Sequence, residues 1–577
     1  MNEQKNLILA VVLVIGILFG FHYFYEQPKA QQTLAARQEN KELNAKDTQS
    51  PQEALGLAHT LTELNRDEAI AKGKRIVIKT NKLEGSINLV GGVIDDLKLR
   101  DYKETTDKNS PDVILLSPFQ TKTGYLGFTS WKSLDKNTPL ILPQTDTVWH
   151  TESTELGVGK PVKLIYTNGK GQTFERTISV DDHYMFTIED KIINNTANPL
   201  TLKHIATVER HDIPVSAQSG FILHEGAIGV VNGKLHEVDY SDMTLEPKPQ
   251  DTYFTKAKRS WIGFTDKYWL TALIPTPDKE STMVFLGNHD KKIYQVLAES
   301  QAVTLEGGKE ATESVHFFAG AKVLELLDMY EQKLGFDKFD LAVDFGWFYF
   351  LTKPMLSFLQ FLHNLLGNFG LAILALTVIV KIIFFPLANK SYRSMSRMRA
   401  FAPQIEALKA RYGNDKMKLN QAMMELYKKE QINPMSGCLP MIIQAPVFFC
   451  LYKVLYVSLD MRQAPFYGWI HDLSIPDPTS LFNLFGLLPF TPPHFLQIGA
   501  WPIIMGASMF LQQKLNPQPA DKAQATMFMI MPLFMTFLFA GFPAGLVIYW
   551  AWSNILGILQ QWMIMRMEAK RVRIQKK

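Results

Sequence analysis

The chain has 577 residues, 46% of them hydrophobic and 20% charged, with a formal net charge of +4. That length exceeds one ordinary domain, and the apolar segments are unevenly spread, so a soluble part and a membrane part are expected. The near balance of charge excludes a global nucleic-acid signature. The two cysteines, Cys438 and Cys450, lie on one apparent helix about 18 Å apart along its axis, too far for a disulfide, and read as packing residues. The large soluble segment has no cysteine, so disulfides reveal nothing of its redox compartment.

Leu7 to Phe24 is an apolar run preceded by Lys5 and ending in bulky aromatics without a small-x-small cleavage site, which favours an uncleaved anchor over residues 1–26. Residues 27–74 are rich in Gln, Ala, Glu, Lys and Asn and read as a flexible linker. From 75 to 335 short alternating runs follow one another, such as Val162 to Thr167 before Asn168-Gly169-Lys170-Gly171. Period-two alternation with Asn-Gly turns predicts β-hairpins, and many in succession predict an all-β sandwich. His204, His211, His224 and His236 show no zinc spacing, and neither a nucleophile elbow nor a phosphate loop is present, so this domain reads as a binding or scaffolding unit.

Residues 336–368 hold a linker and then an amphipathic helix, with Lys353, Ser357, Gln360 and Asn364 on one face. It suits an interfacial helix outside the membrane; a core helix of the soluble domain is the other reading. Leu371 to Leu387 is a nearly continuous apolar run within the second span, 369–388, and it carries Lys381. A cation there costs about 2.5–3.5 kcal/mol on insertion scales. Thr377 is one turn away on the same face. Two readings stand: Lys381 snorkels to the interface, about 9 Å along the helix, or it faces a hydrated interior.

Residues 389–436 contain a basic stretch, Lys390 to Lys429, with ten Lys or Arg against three Asp or Glu. Met398, Phe401, Ile405, Leu408 and Tyr412 form one stripe and Leu419, Met423 and Leu426 another, which predicts an antiparallel helical hairpin turning at Gly413-Asn414-Asp415, with Pro403 bending or restarting its first arm. Its charge fits both the positive-inside bias and a docking surface for an anionic partner. Spans then follow at 437–459, 498–515, 526–540 and 541–565, separated by the outer loop 460–497 and the inner loop 516–525, with a basic tail at 566–577. The alternation of positive charge gives six spans with both termini cytoplasmic and the β-domain outside.

Polar residues recur inside these spans: Thr377, Lys381, Gln444, Ser508, Gln512, Thr536, Tyr549, Ser553, Asn554, Gln560 and Gln561, with Trp550 beside them. Each alone reads as interhelical glue; together with the lysine they suggest a hydrated cavity. Of the 23 methionines, 17 fall after residue 390, where flexible thioethers suit varied apolar partners or simply fill gaps.

With these motifs in hand the chain resembles the YidC/Oxa/Albino family of membrane protein insertases. The resemblance is carried by Asp344-Phe-Gly-Trp347, Val380-Lys-Ile-Ile-Phe-Phe-Pro-Leu387, Asn433-Pro-Met-Ser-Gly-Cys-Leu-Pro440, Gln444-Ala-Pro446, Arg462-Gln-Ala-Pro-Phe466, Trp469-Ile-His-Asp-Leu473 and Phe542-Pro-Ala-Gly545. The β-domain looks like the periplasmic domain of Gram-negative members through Trp261-Ile-Gly263, Tyr268 and Ile274-Pro275. Membership implies a multi-domain membrane protein: six transmembrane helices, five of them an insertase core around a hydrophilic groove, plus the periplasmic β-sandwich. In many members the groove cation is arginine; here the matching position is Lys381, which lacks the bidentate fork. The loop from Ser474 to Gly499 looks longer than in compact members.

The implied activity is non-enzymatic insertion and chaperoning of new membrane proteins, alone or with the Sec translocon, with no cofactor and no metal. Client helices would leave along the third and fifth spans near Cys450 and Phe534. The resemblance also implies contacts with lipids, the ribosome and signal recognition particle components, with Arg393, Arg397, Arg399, Lys409 and Arg411 as the cytoplasmic docking side chains. A transporter with an anion site at Lys381 would predict internal repeats, which the sequence lacks. A hydrolase pairing Lys381 with Ser508 or Ser553 has no motif to fix either serine.

Overall fold

The computed structural model describes residues 63–135, 140–214, 223–346, 349–412, 415–429, 439–490, 492–493, 496–516 and 522–575. The anchor expected at 1–26 lies outside these residues, as does the linker up to residue 62. The chain forms two compact units, one ending at Phe345 and the other resuming at Gly346.

The first unit is mostly β-sheet. Its hairpins form as the alternation dictates: Gln172–Val180 buries every second residue. The turn before it is closed by Asn168, whose side-chain oxygen accepts the N–H groups of Lys170 (2.9 Å) and Gln172 (3.2 Å), while Gly169 and Gly171 adopt positive φ. Among the described residues there is an 11-stranded sheet. Its main path runs Tyr253–Ala257, Ser281–Asn288, Ile293–Ser300, Leu200–His211, Tyr125–Ser133, Val93–Lys103, Leu83–Asn88, Arg75–Lys79, Glu155–Leu156. An 8-stranded sheet runs Lys234–Val238, Gly226–Val231, Trp261–Thr265, Trp269–Pro275, Glu310–Ala321, Met185–Asn194, Gln172–Val180, Val162–Thr167. The sheets meet closely: a Cβ on Gly127 of one would lie 2.6 Å from the Phe317 ring of the other, and Tyr125 shares a 2.7 Å hydrogen bond with Thr271 across the interface.

Both ends of this unit differ from expectation. Part of the predicted linker is folded, because helix α1 (Arg66–Ala71) is capped by Asn65 and tied down by the Arg66–Asp96 ion pair. At the other end, helix α2 (Leu324–Leu334) closes the region 75–335 that was expected to be all β, and the 3-10 turn Phe339–Ala342 replaces the start of the predicted linker at 336. Phe336 and Phe339 are fully buried, with Phe339 packed edge-on to Trp261 (5.1 Å) and Phe318 (5.3 Å). These contacts make 336–345 part of the β-unit's core.

The second unit is helical. Helix α3 (Tyr349–Leu366) buries Thr352, Leu356, Leu359 and Leu362 and leaves Phe358, Phe361 and Leu365 exposed beside its polar stripe. After Gly367 and the cap Asn368 the chain bends by 119° into α4 (Phe369–Ile383). The predicted 369–388 span is not one helix, because Pro386 supplies no N–H and the chain breaks at Phe384 before α5 (Phe385–Ala400). Helix α6 (Ala402–Tyr412) takes Pro403 in its first turn, where proline is tolerated, and α7 (Lys416–Lys429) packs back on it with Ile405, Leu408, Leu419 and Met423 half-buried. Then come α8 (Leu439–Val457), α9 (Ala500–Leu515), α10 (Lys522–Phe539) and α11 (Ala544–Gln575); α11 runs on as helix where a separate tail was expected from 566. Among the described residues no single helix is long and apolar enough to cross a membrane, although α3 and α4 meet that test as a bent pair.

Candidate functional site

The loop after α8 holds the N-terminal ends of α4 and α11 together. Asn368 accepts the Leu371 N–H (3.1 Å) and donates to the Pro465 carbonyl (3.0 Å). The Ala544 N–H donates to Ile475 (2.7 Å) and the Gly545 N–H to Leu473 (3.0 Å). Donors that a helix start leaves unmet are thus satisfied by loop carbonyls. Two glycines allow the close approach: a Cβ on Gly370 would strike the Phe466 ring at 2.0 Å, and one on Gly545 would sit 3.2 Å from the Leu473 carbonyl and 3.6 Å from Ile373.

From the Ile373–Gly545 contact α4 and α11 run in the same direction, since Tyr392, beyond α4, lies 3.7 Å from the Cβ position of Gly557. Lys381 is eight residues beyond Ile373 and Ser553 eight beyond Gly545, about 12 Å along each helix from that contact. Lys381 is half-buried in the last turn of α4, where a cation complements the helix dipole. Thr377, on the same face, is buried and donates to the Ile373 carbonyl at 2.7 Å. Ser553 and Asn554 are buried, and Asn554 donates to Ser508 of α9 at 3.0 Å. Ser508 in turn donates to the Met505 carbonyl at 2.6 Å. Polar side chains thus join α9 to α11, while α4, which carries Thr377 and Lys381, packs against α11.

The other predicted residues divide. Gln512 lies against α11, its Nε2 3.1 Å from the Cβ position of Gly557. Thr536 donates to the Pro532 carbonyl at 2.8 Å and sits at the contact of α10 with Gly506 of α9. Tyr549 is buried on α11. Trp550 joins three helices, its ring 4.6 Å from both Phe448 of α8 and Phe539 of α10. The Gln444 side chain is outside what the structure describes. Cys450 is fully buried and faces Thr352 of α3, whereas Phe534 is 58% exposed on α10, so the two path residues do not share a surface. Arg393 is half-buried and Arg411 exposed beside Tyr412, while the side chains of Arg397, Arg399 and Lys409 lie outside the described ones. Gln561, also a candidate from the sequence, donates through Nε2 to the Leu515 carbonyl (3.0 Å) and to Asn516 (3.2 Å), extending the α9–α11 seam. Its spacing of seven from Asn554 puts it on the same face and was a readable signal.

The β-unit holds a second polar centre that sequence reasoning missed. Arg176 (2% exposed) donates to Asp190 (1% exposed) at 2.7 Å, to the Thr129 carbonyl at 2.7 Å and to the Gly92 carbonyl at 3.0 Å. Asp190 also meets His204 at 2.8 Å and the Thr129 hydroxyl. Burial alone would raise the Asp190 carboxyl, but the Arg176 guanidinium and the His204 ring outweigh it and hold it well below the usual carboxylate range. The network crosses from one sheet to the other, and removing one partner of such a pair costs ~3–5 kcal/mol. It is a fastening, with a charged residue at an inward strand position as its signal. Among the described residues three carboxylates gather within 4.8 Å, Asp328, Glu331 and Asp340, and Glu331 accepts the Phe339 N–H at 3.0 Å, closing the turn.

Residues 75–358 match the family model described as the YidC periplasmic domain, and 361–571 match that of the 60Kd inner membrane protein. The chain is 44% identical over 599 residues to a membrane protein insertase YidC of Methylorubrum extorquens, covering 99% of this chain and 97% of that one. It is 45% identical over 597 residues to that of Beijerinckia indica, with the same coverage. It also aligns with the crystal structure of an active YidC insertase whose first transmembrane domain is resolved, at 18% identity and a TM-score of 0.35, over 85% of this chain and 95% of that one. Identity at this level along nearly the whole of both chains means that this protein belongs to the membrane protein insertase YidC family.

Proposed function

We propose that the protein inserts newly made integral membrane proteins into the inner membrane, with the polar side chains of α4, α9 and α11 as the place where a client's hydrophilic segment is received. The observation that carries the reading is the half-buried Lys381 in the last turn of the apolar helix α4, which packs against α11 with its buried Ser553 and Asn554. A client tail leaving water loses less hydration where hydroxyls, amides and a cation stand ready, and Lys381 attracts its acidic residues. The client's apolar helix then passes into lipid beside the exposed Phe534 face of α10. No covalent step is involved, so the work comes from hydrophobic partition and the membrane potential, worth about 2.3 kcal/mol per charge per 100 mV.

In this reading the chain has six spans: the N-terminal anchor, then α4 with α5, then α8, α9, α10 and α11. Both termini and the α6–α7 hairpin are cytoplasmic, and the β-unit is periplasmic. The basic hairpin, with Arg393, Arg397, Arg399, Lys409 and Arg411, faces the ribosome, signal recognition particle components and anionic lipid, and the Sec translocon is a partner for larger clients. The α3 helix lies in the outer interface, its exposed Phe358, Phe361 and Leu365 toward lipid.

The test is insertion of a single-span protein with an acidic N-terminal tail into liposomes containing the protein. Lys381→Arg should insert at near wild-type level and Lys381→Ala about tenfold less, the equivalent of ~1.4 kcal/mol. Unchanged insertion by Lys381→Ala would remove the cation from the mechanism, and no insertion by wild type would sink the proposal.

A further inference from the structure

The loop between α8 and α9 contains a feature that insertion does not use. From Leu481 to Phe490 it presents seven large apolar side chains outward: Leu481, Phe482, Leu484, Phe485, Leu487, Leu488 and Phe490, with Leu487 82% exposed. Between Pro478 and Gly499 the sequence contains no Lys, Arg, Asp or Glu. Leu484 (φ 51°) and Phe485 (φ 57°) both hold the left-handed conformation, which costs roughly 1–2 kcal/mol for each such residue.

The fold imposes that conformation with a web of hydrogen bonds. The Phe485 N–H donates to Ser480 (2.7 Å), Leu488 to Asn483 (3.0 Å) and Leu481 to Ile498 (2.9 Å). Ser480 Oγ donates to the Leu496 carbonyl (3.1 Å) and Asn483 to the Phe490 carbonyl (3.3 Å). The base is held by Asp477, which accepts from the Trp469 indole (3.0 Å), from Thr479, and from the Trp501 N–H (2.9 Å) of α9. The knuckle is thus tied to the first turn of α9, whose exposed Ile504 and Leu511 continue the apolar surface, and Tyr467 and Trp469 stand exposed beside it. Aromatic residues of this amphipathic kind concentrate at membrane interfaces.

We infer that Leu481–Phe490 is a membrane-dipping knuckle that buries its leucines and phenylalanines among the acyl chains of the outer leaflet. The irregular backbone stays at the headgroup level, where its own hydrogen bonds and water satisfy its polar groups, while the side chains reach down to the acyl chains; lack of charge removes the main penalty for their entry. The inference rests on α8 and α9 crossing the bilayer as proposed above.

Spin labels on the full chain in nanodiscs test it, with Cys438 and Cys450 replaced by serine and single cysteines at Leu484, Leu487, Leu511 of α9 and Lys418 of the hairpin. Collisions are counted with oxygen, which concentrates in lipid, and with a nickel chelate, which stays in water. Labels at 484 and 487 should show the high oxygen-to-nickel ratio of 511 and depart from the low ratio of 418. A low ratio at 484 and 487 with a high one at 511 overturns the knuckle alone. Shielding from both reagents means that protein covers the loop, a second copy or another chain, and overturns it too. A low ratio at 511 removes α9 from the bilayer and takes the inference with it.

Discussion

Lys322 follows the Glu310–Ala321 strand with its side chain buried and its ammonium donating to Thr265 Oγ1 at 3.0 Å. Burial pushes it down to about 8 from the ordinary 10.5, against the upward pull of Asp266, Glu225, Asp344 and Glu237. Below about pH 8 the lysine is protonated in both the folded and unfolded chain, and the fold bears the net cost of holding that charge, on the order of 3 kcal/mol at ~1.4 kcal/mol per unit. Between about 8 and 10.5 only the unfolded chain still holds the proton, so stability rises with pH through that window. Calorimetry of the full-length protein in detergent should show the β-unit's transition gaining on that of Lys322→Met as pH climbs through the window; a constant gap would refute it. Nothing in the local sequence distinguished Lys322 from a surface lysine, because its burial comes from strands far away in the chain. Arg176 was more legible, since Gln172, Phe174, Arg176, Ile178 and Val180 alternate inward along one strand.

At the scale of elements, periodicity separated the β part from the helical part, while several helix ends became clear only in the fold, where glycine and proline set them. Gly367 and Asn368 separate α3 from α4, and Pro386 sets the break before α5. What the pattern did not reveal was contact. Gly506 of α9 reads as an ordinary helical glycine, yet a Cβ there would lie 1.9 Å from Thr536 Oγ1, so α9 and α10 touch at backbone distance. Small residues at such crossings substitute for the missing hydrophobic drive between helices in lipid. Gly506→Val should push the helices apart at a cost of ~1–3 kcal/mol, the range for overpacking. The check is midpoint temperature of the helical unit in detergent, where an unchanged value would show that the α9–α10 contact is loose. Ser508 and Asn554, 46 residues apart, were both candidates from sequence, but their 3.0 Å hydrogen bond was not foreseeable.

For the whole molecule the question is which compartment each unit occupies. The proposed topology puts the Asn168–Gly171 turn of the β-unit outside the inner membrane and the α7 helix inside. A single cysteine at Lys170, exposed in that turn, should react with an impermeant maleimide in cells whose outer membrane has been opened. One at Lys418, exposed on α7, should react only after the inner membrane is broken. Both labelling together in intact inner membranes would overturn the arrangement of spans.

By itself the sequence determined that the chain has a largely β part followed by a largely helical one, where charge collects, and, through its motifs, the family. These are local properties, written in periods of two and 3.6 and in short runs such as Trp469-Ile-His-Asp-Leu473. Only the tertiary structure decided that Ile373 meets Gly545, that Asn554 reaches Ser508, that Phe336 and Phe339 belong to the β-unit's core, and that Arg176 fastens two sheets. Each of those depends on residues tens to hundreds of positions apart being brought together. Chain connectivity does not encode such distances; they are set when whole faces are buried against one another.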